Sequence, residues 1–314
     1  YIYAEFDRIG LDHDLVQMVP SPPSKDKTAR LMQLADMLVV TGSQSNVRSA
    51  YSSGTPAIGV GMGNVVTIID ETADLDDAAQ KIQRSKCFDN ATSCSSENAV
   101  VVVDAVYDDC VAALQRAGGM LLDAAQTKHL IDTHWHEGHL NRNMLAQDID
   151  AVLRTLGMTD TASQNTKFLV APASGIGPNH PVSGEKMALF LALYRASDFA
   201  DAKTKARAIH DYQGRGHSLG LHSRDDKRAH ELAMDMQACR IIVNQAHCFA
   251  TGGSFDNGLP FFLSMGCGSW GGNSIDENLN WSHFVNRVNV VRVIPEKKPE
   301  LEDIFASYWD EFGK

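Results

Sequence analysis

The chain has 314 residues, of which 44% are hydrophobic and 21% charged, and its formal net charge is −11. This is the composition of an ordinary globular protein with one large or two medium domains, and its longest apolar runs are too short to cross a membrane. The acidic balance argues against a nucleic-acid partner, because phosphate binding needs basic surface. Six cysteines without regular spacing or a CxxC pair favour reduced thiols and a cytoplasmic setting.

The elements predicted along the chain alternate between amphipathic stretches of helix length and apolar stretches of strand length. The first four are a helix at 28–36, a strand at 37–41, a helix at 47–54 and a strand at 56–60. This alternation predicts an α/β fold with parallel sheets covered by helices. The same rhythm returns at 71–86, 98–104, 106–117, 167–171, 187–194, 197–211, 217–222, 226–238 and 240–244.

The two ends of the sequence stand apart from this rhythm. The sequence opens at Tyr1 with no initiator Met and no leader, so we expect it to begin inside a longer protein. Residues 285–295 alternate like an edge strand, and residues 298–314 form an amphipathic tail. A strand this late pairs either with its own sheet or with another subunit, and the pattern leaves both open.

A turn with Gly42 separates the predicted strand at 37–41 from the next helix. Ser43, Ser45 and Asn46 can cap that helix, so its free N–H groups and positive dipole end can meet a pyrophosphate, with Arg48 as a possible counter-charge. Any α/β protein has several such turns, so the pattern alone does not establish a phosphate site.

A literal GxGxxG occurs at Gly266, Gly268 and Gly271, but no amphipathic helix follows it. It is therefore interpreted as a place where backbone passes close to another group, not as a dinucleotide fingerprint. Cys267 within it is interpreted as a buried bystander in preference to a second reactive thiol.

Histidines are clustered at His134, His136 and His139, but their spacing does not match zinc ligands on one helix. A solvated or hydrogen-bonding loop is the favoured interpretation, and no metal site is predicted. His217 lies between a glycine pair and a predicted strand, so it is either structural or directed at a site.

Cys87 and Cys94 lie seven positions apart in a polar run. A free thiol has a pKa of about 8.5, so a nucleophilic cysteine needs a helix dipole, a cation or N–H donors nearby. Cys87 follows Lys86 at the end of a predicted helix, where the dipole raises a thiol pKa. Cys94 lies among polar residues that supply donors. These arguments favour Cys94 as nucleophile, although an inert buried thiol is the default for either.

Three segments together, 50–64, 85–108 and 263–278, resemble the CoA-acylating branch of the aldehyde dehydrogenase superfamily. The resemblance runs over essentially the whole chain and implies an aldehyde dehydrogenase-like α/β fold. Its implied parts are a partial Rossmann-type cofactor domain at 1–66, a catalytic thiol domain at 67–284, and an oligomerisation strand with a C-terminal tail at 285–314.

The resemblance also implies roles for single residues. The family's nucleophile ends an F-x-N-x-x-x-C pattern, which is formed here by Phe88, Asn90 and Cys94, and Cys87 falls outside it. A second family residue, an Asn that helps to hold the oxyanion, has no match in this sequence. The implied NAD or NADP contacts are Thr41, Gly42, Ser43, Val47, Gly61, Gly63 and Glu185.

One departure from the family pattern bears on the reaction. Hydrolytic members place a Glu just before the glycine turn, where it activates water, and this chain has Val60 there. Without that base, water is a poor nucleophile, whereas the CoA thiol needs less help. The residue therefore favours CoA as co-substrate, with hydrolysis to a carboxylic acid as the alternative. A third hypothesis is that the protein is a non-catalytic, truncated assembly subunit.

The end of the chain looks most like sulfoacetaldehyde-type acylating enzymes, next to the acetaldehyde and succinate semialdehyde types. An anionic substrate needs a cation, for which Arg215, His217 and His247 are candidates, and Asn90 is a further candidate for contact with substrate or CoA. The resemblance also implies a homodimer or homotetramer.

Overall fold

A computed structural model describes residues 1–136 and 138–314, which form two compact units, Tyr1–Asn280 and Trp281–Lys314. The strands are β1 (Leu38–Val40), β2 (Ala57–Gly59), β3 (Val65–Ile69), β4 (Glu97–Val103), β5 (Gly119–Leu121), β6 (Trp135–His136), β7 (His139–Leu140), β8 (Phe168–Pro172), β9 (Phe190–Ala196), β10 (Leu219–His222) and β11 (Ile241–Val243). The helices are α1 (Ile2–Ile9), α2 (Lys25–Leu34), α3 (Gln44–Tyr51), α4 (Leu75–Lys86), α5 (Tyr107–Arg116), α6 (Ala124–His134), α7 (Ile149–Leu156), α8 (Phe199–Tyr212), α9 (Asp226–Asp235), α10 (His247–Thr251) and α11 (Leu301–Phe312).

The larger sheet of the first unit has seven parallel strands in the order β11–β10–β3–β4–β9–β8–β5. Its central strands are continuous apolar runs because helices cover both faces. In β4, Val100 and Val102 pack in the cluster that includes α4 and α5. Ala99 and Val101 pack in the opposite cluster with α7 and α8. The central strands of the sheet are therefore buried on both faces.

The smaller sheet pairs β1 with β2 in parallel, and α3 packs on it. A Cβ added at Gly59 would lie 2.6 Å from a Val47 methyl carbon and 2.9 Å from the Tyr51 hydroxyl oxygen. Glycine therefore lets α3 approach the strand closely. The hairpin of β6 and β7 is antiparallel.

The start and end of α4 follow from its sequence. Asp74 caps the helix by accepting a hydrogen bond from a backbone N–H of the first turn, and Arg84 and Lys86 complement the dipole in its last turn. The buried face is made of small and branched apolar residues, Ala78, Ala79 and Ile82. The helix ends at its C-cap, Cys87, as predicted.

The predicted α/β fold is confirmed, although several elements of the structure, among them β5, α6 and α7, were not predicted. The central strand β3 is missing from the predicted elements because its short apolar run follows directly on the glycine turn. The strand predicted at 187–194 begins only at Phe190, since Met187 adopts a left-handed backbone with φ of 50°.

The second unit contains α11 and, over residues 285–295, no strand. The interpretation of this segment as an edge strand of its own sheet is therefore wrong for the single chain, and pairing with another subunit stays a prediction. Its apolar side chains are exposed, namely Val288, Val290, Val291, Val293 and Ile294.

Over the described ranges, every helix is too short or too polar to traverse a bilayer.

Candidate active site

The amino ends of four parallel strands of the larger sheet meet at one edge. Gly63 precedes β3 and Cys94 precedes β4, while Glu185 precedes β9 and His217 precedes β10. The turns after β1 and β2 come to the same place and enclose a cavity of about 610 Å³. That volume is typical of a small-molecule site. The cavity lining includes Thr41, Gly42, Ser43, Val60, Cys94 and Glu185.

The loop that carries Cys94 has an unusual backbone. Asp89, Asn90 and Ala91 have φ angles of 48°, 50° and 63°, a left-handed run that side chains disfavour. The Asn90 amide donates to the Ala146 carbonyl at 3.2 Å and to the Asp148 carboxylate at 3.0 Å. These bonds hold the loop in place, so the geometry gives Asn90 a positioning role and directs its side chain to a neighbouring loop instead of to substrate.

Burial raises the pKa of the Cys94 thiol to about 11, and the nearby Glu185 carboxylate adds to the rise. The donors expected from the sequence are present, since the Ser95 hydroxyl and the Cys94 backbone N–H both act to lower this pKa. They are outweighed by burial, which the sequence pattern does not reveal. Cys94 is therefore a thiol at neutral pH and needs a proton acceptor to become a nucleophile.

The side chain placed to act as this acceptor is His217, whose Nε2 lies 3.3 Å from the Cys94 sulfur. Burial lowers the pKa of His217 to about 3, and the neighbouring Arg240 guanidinium contributes to this. A neutral imidazole can accept a proton, as a general base does. His217, predicted as either structural or site-directed, lies at the site.

The glycine turn after Val60 lies directly against Cys94. A Cβ added at Gly63 would lie 2.2 Å from the Cys94 carbonyl oxygen, so only glycine fits there. The Gly61 N–H donates to the Asn273 side-chain oxygen at 2.8 Å, which also accepts from the Cys267 N–H at 2.9 Å. The GxGxxG segment and the Asn273 that follows it therefore pack closely against this turn and hold it in place.

The predicted cofactor loop is divided by the structure. Thr41, Gly42 and Ser43 line the cavity, and the Ser43 hydroxyl accepts a hydrogen bond from the Asn46 N–H at the start of α3. Val47 is buried on the far side and packs on β2. Its position gives it a packing role.

Glu185 also lines the cavity, and burial raises the pKa of its carboxyl to about 7. The buried ammonium groups of Lys86 and Lys186 oppose this rise. The carboxyl can therefore accept a hydrogen bond from a hydroxyl group in the cavity.

Comparison with known proteins matches residues 1–258 to the aldehyde dehydrogenase family. The chain belongs to this family. It is 49% identical over 314 residues to the sulfoacetaldehyde dehydrogenase (acylating) of Cupriavidus necator. The alignment covers 100% of this chain and 64% of that protein. It is 33% identical over 305 residues to the succinate-semialdehyde dehydrogenase (acetylating) of Clostridium kluyveri. The alignment covers 96% of this chain and 66% of that protein. The chain thus spans slightly less than two thirds of the length of these curated relatives.

A solved structure supports the same family. The acetylating aldehyde dehydrogenase from Geobacillus thermoglucosidasius superposes with a TM-score of 0.86 at 31% identity, covering 93% of this chain and 65% of that one. The aldehyde dehydrogenase-like fold implied by the resemblance is confirmed.

Three residues proposed as substrate cations are not placed for that role in this chain. The Arg215 guanidinium bonds the Asp211 carboxylate at 2.6 Å and borders a different cavity. His217 and His247 are buried, and burial holds the pKa of both rings well below the ordinary value, so they carry no charge at neutral pH. Among the described residues that line the Cys94 cavity, none is Lys, Arg or His.

The other two cysteines considered are outside the reacting geometry. The Cys87 sulfur lies 3.6 Å from the Lys167 carbonyl oxygen, and burial raises the pKa of this thiol. Cys267 is fully buried beneath Gly61, and burial raises the pKa of its thiol to about 12.

The clustered histidines do not lie in a solvated loop; one ends a helix and two lie on paired strands. His134 ends α6, is fully buried, and bonds the Lys186 carbonyl oxygen at 2.9 Å. His136 and His139 are exposed on β6 and β7. Over residues 1–136 and 138–314, no group of three or more potential ligands is arranged to hold a metal ion.

One residue of the site was not anticipated from the sequence. Ser218 lies between the rings of His217 and His247, with its Oγ 2.8 Å from each. The available signal was its adjacency to His217, but the contact with His247 joins positions 29 residues apart.

Proposed function

We propose that the complete protein is a CoA-acylating aldehyde dehydrogenase. In this reaction a short aldehyde, NAD⁺ or NADP⁺, and CoA give an acyl-CoA through a thioester on Cys94. The observation that carries the proposal is the 3.3 Å contact between Cys94 and His217, beside a cavity to which Val60 contributes an apolar side chain.

The first step uses the chain's own residues. The Cys94 sulfur attacks the carbonyl carbon while its proton passes to Nε2 of His217, and a carbon–sulfur bond forms. The resulting thiohemiacetal oxyanion lies where the Cys94 backbone N–H can stabilise it, together with the family's Asn that has no match in this sequence. Burial makes His217 a weak base, with a pKa of about 3, so the proton must pass to it as the carbon–sulfur bond forms and not beforehand.

The cavity fits a pyridine nucleotide by the chemistry of its donors. Thr41 and Ser43 supply hydroxyl groups beside the start of α3, and Glu185 supplies an acceptor for ribose hydroxyls. Gly63 brings no side chain between the turn and Cys94, whose backbone packs directly against it. When bound, the nucleotide takes up the hydride from the carbon attached to Cys94.

The second step needs a nucleophile to release the acyl group. Val60 is buried and lines the cavity, so the position that carries a carboxylate in hydrolytic members is apolar here. Water then lacks this base, while a CoA thiolate is a strong nucleophile. Glu185 is a cavity carboxylate that could serve water instead, which makes CoA dependence the decisive measurement.

The test is NADH or NADPH formation by the complete protein with a short aldehyde, with and without CoA. The proposal expects steady turnover only with CoA and, without it, a burst of about one equivalent per active site. Steady turnover without CoA would indicate a hydrolytic enzyme. Absence of product under all conditions, from a correctly folded protein, would favour the non-catalytic assembly subunit.

For the substrate we propose a sulfoacetaldehyde-type aldehyde, on the basis of the 49% identical relative. The described lining supplies no cation, so the sulfonate would be bound by N–H and hydroxyl groups such as that of Ser93, or by residues outside this chain. Comparison of kcat/KM for sulfoacetaldehyde and acetaldehyde checks this, and a ratio at or below one contradicts it.

We further propose a cytoplasmic homodimer or homotetramer that pairs through residues 285–295, whose exposed apolar side chains support it. Light scattering on a variant with Val291→Lys and Val293→Lys should show dissociation.

A further inference from the structure

A continuous line of hydrogen bonds leads from Cys94 into the protein interior. The Cys94 sulfur lies 3.3 Å from Nε2 of His217, and Nδ1 of His217 lies 2.8 Å from the Ser218 Oγ. The same Oγ lies 2.8 Å from Nε2 of His247 at the start of α10. His217, Ser218 and His247 are 0%, 0% and 1% exposed. Solvent therefore cannot substitute for any member of this line.

The direction of the protons along this line follows from its two ends. If the Cys94 S–H donates to Nε2 of His217, as activation of the thiol by this ring requires, the His217 hydrogen is on Nδ1. That Nδ1–H donates to the Ser218 oxygen, and the Ser218 O–H is left to donate to His247. With His217 in this tautomer, Nε2 of His247 is the acceptor of the Ser218 O–H.

The surroundings of His247 keep its ring neutral. Burial holds its pKa well below the ordinary value, and the nearby His217, His222, His210 and Arg240 add to this effect. The His247 backbone N–H acts to lower the pKa of the buried Glu97 carboxyl, which burial raises to about 7. A neutral ring with a free Nε2 lone pair is what the Ser218 hydroxyl requires.

We propose that His247 is a positioning residue that acts through Ser218 to fix the tautomer of His217. It accepts the Ser218 hydrogen bond, so the hydroxyl cannot turn and donate to Nδ1 of His217. If it did turn, His217 would carry its hydrogen on Nε2 and could not take the Cys94 proton. This inference rests on the proposed function in that Cys94 is the thiol to be activated.

The test measures the alkylation rate of Cys94 by iodoacetamide in the complete protein, followed by mass spectrometry of the Cys94 peptide. No aldehyde, nucleotide or CoA is present. Ser218→Ala and His247→Leu should each slow alkylation at neutral pH by about fivefold to tenfold, the fold-change of one net hydrogen bond. The double variant should be no slower than either single variant, because both break the same line.

A rescue variant separates positioning from packing. His247→Gln keeps an acceptor of similar reach, so alkylation should stay within about threefold of wild type. The matched control is His129→Leu, a histidine on α6 whose ring bonds the Leu156 carbonyl oxygen, away from His217 and His247. It should alkylate like wild type, and thermal unfolding should show that all variants are folded.

Alkylation of folded Ser218→Ala and His247→Leu at the wild-type rate would overturn the proposal. Additive losses of alkylation rate in the double variant would also overturn it. So would equal losses of alkylation rate in His247→Gln and His247→Leu. Because alkylation needs neither CoA nor nucleotide, it is independent of the proposed reaction. A protein with the expected alkylation pattern and no CoA-dependent turnover would refute the proposed function and leave this inference standing.

Discussion

Cys94 and Cys87 are seven residues apart in the sequence, yet they occupy different chemical surroundings. Cys87 caps the end of α4, and its sulfur meets a backbone carbonyl oxygen that cannot accept a proton at neutral pH. Cys94 lies at the amino end of β4, where its sulfur meets the His217 imidazole beside the cavity. Burial raises the pKa of both thiols. What distinguishes the two is the partner of the sulfur, not the polarity of the local sequence.

The largest expected effect comes from removing each sulfur in turn. Cys94→Ala should lower CoA-dependent NADH formation by at least about a thousandfold, because the other cysteine of the cavity lining, Cys248, has a thiol whose pKa burial raises to about 12. Cys87→Ala, the matched control, should change it by less than about twofold. Steady-state assays of both variants check this. Comparable losses in the two variants would show that the comparison between the thiols is mistaken.

The next effect concerns the proton acceptor. His217→Gln should lower kcat/KM by about a hundredfold or more, since general base catalysis typically supplies that much. Reactivity of Cys94 in this variant should then follow the free thiolate and rise steadily with pH, because the pKa of the buried thiol is about 11. The pH profile of Cys94 alkylation measures this. A variant profile that coincides with wild type would remove His217 from the mechanism.

A smaller effect is expected from the turn that packs on Cys94. In Gly63→Ala the new Cβ must displace the Cys94 backbone, since it would otherwise lie 2.2 Å from its carbonyl oxygen. We expect a loss of about 1–3 kcal/mol in unfolding free energy and a lower kcat. Gly258→Ala is the control, because a Cβ there meets nothing within 4 Å. Equal stabilities of the two variants in denaturant titrations would contradict the packing account.

Local features of the fold could be predicted from the sequence because they depend on neighbouring residues. The apolar run of β4 and the amphipathic pattern with caps of α4 are of this kind, as is the position of Cys87 at the helix end. The central strand β3 was not predicted, since a five-residue run after a glycine turn carries little signal by itself.

The site residues could be predicted only where they belong to a recognisable sequence motif. Cys94 and the glycine turn are of this kind, and the structure brings them together. The contact between Cys94 and His217 joins positions 123 residues apart, and no local pattern encodes it. Arg215 looked suitable as a neighbour of His217, but its pairing with Asp211 along the chain turns it elsewhere.

The most direct test of the central claim is to trap the acyl group on the protein. The complete protein is mixed with a short aldehyde and NAD⁺ without CoA, denatured in acid, digested, and mapped by mass spectrometry. The account predicts an acyl thioester on Cys94 that disappears on addition of CoA, with Cys87 unmodified. An acyl group on another cysteine, or a Cys94 adduct that water removes as fast as CoA does, would contradict it.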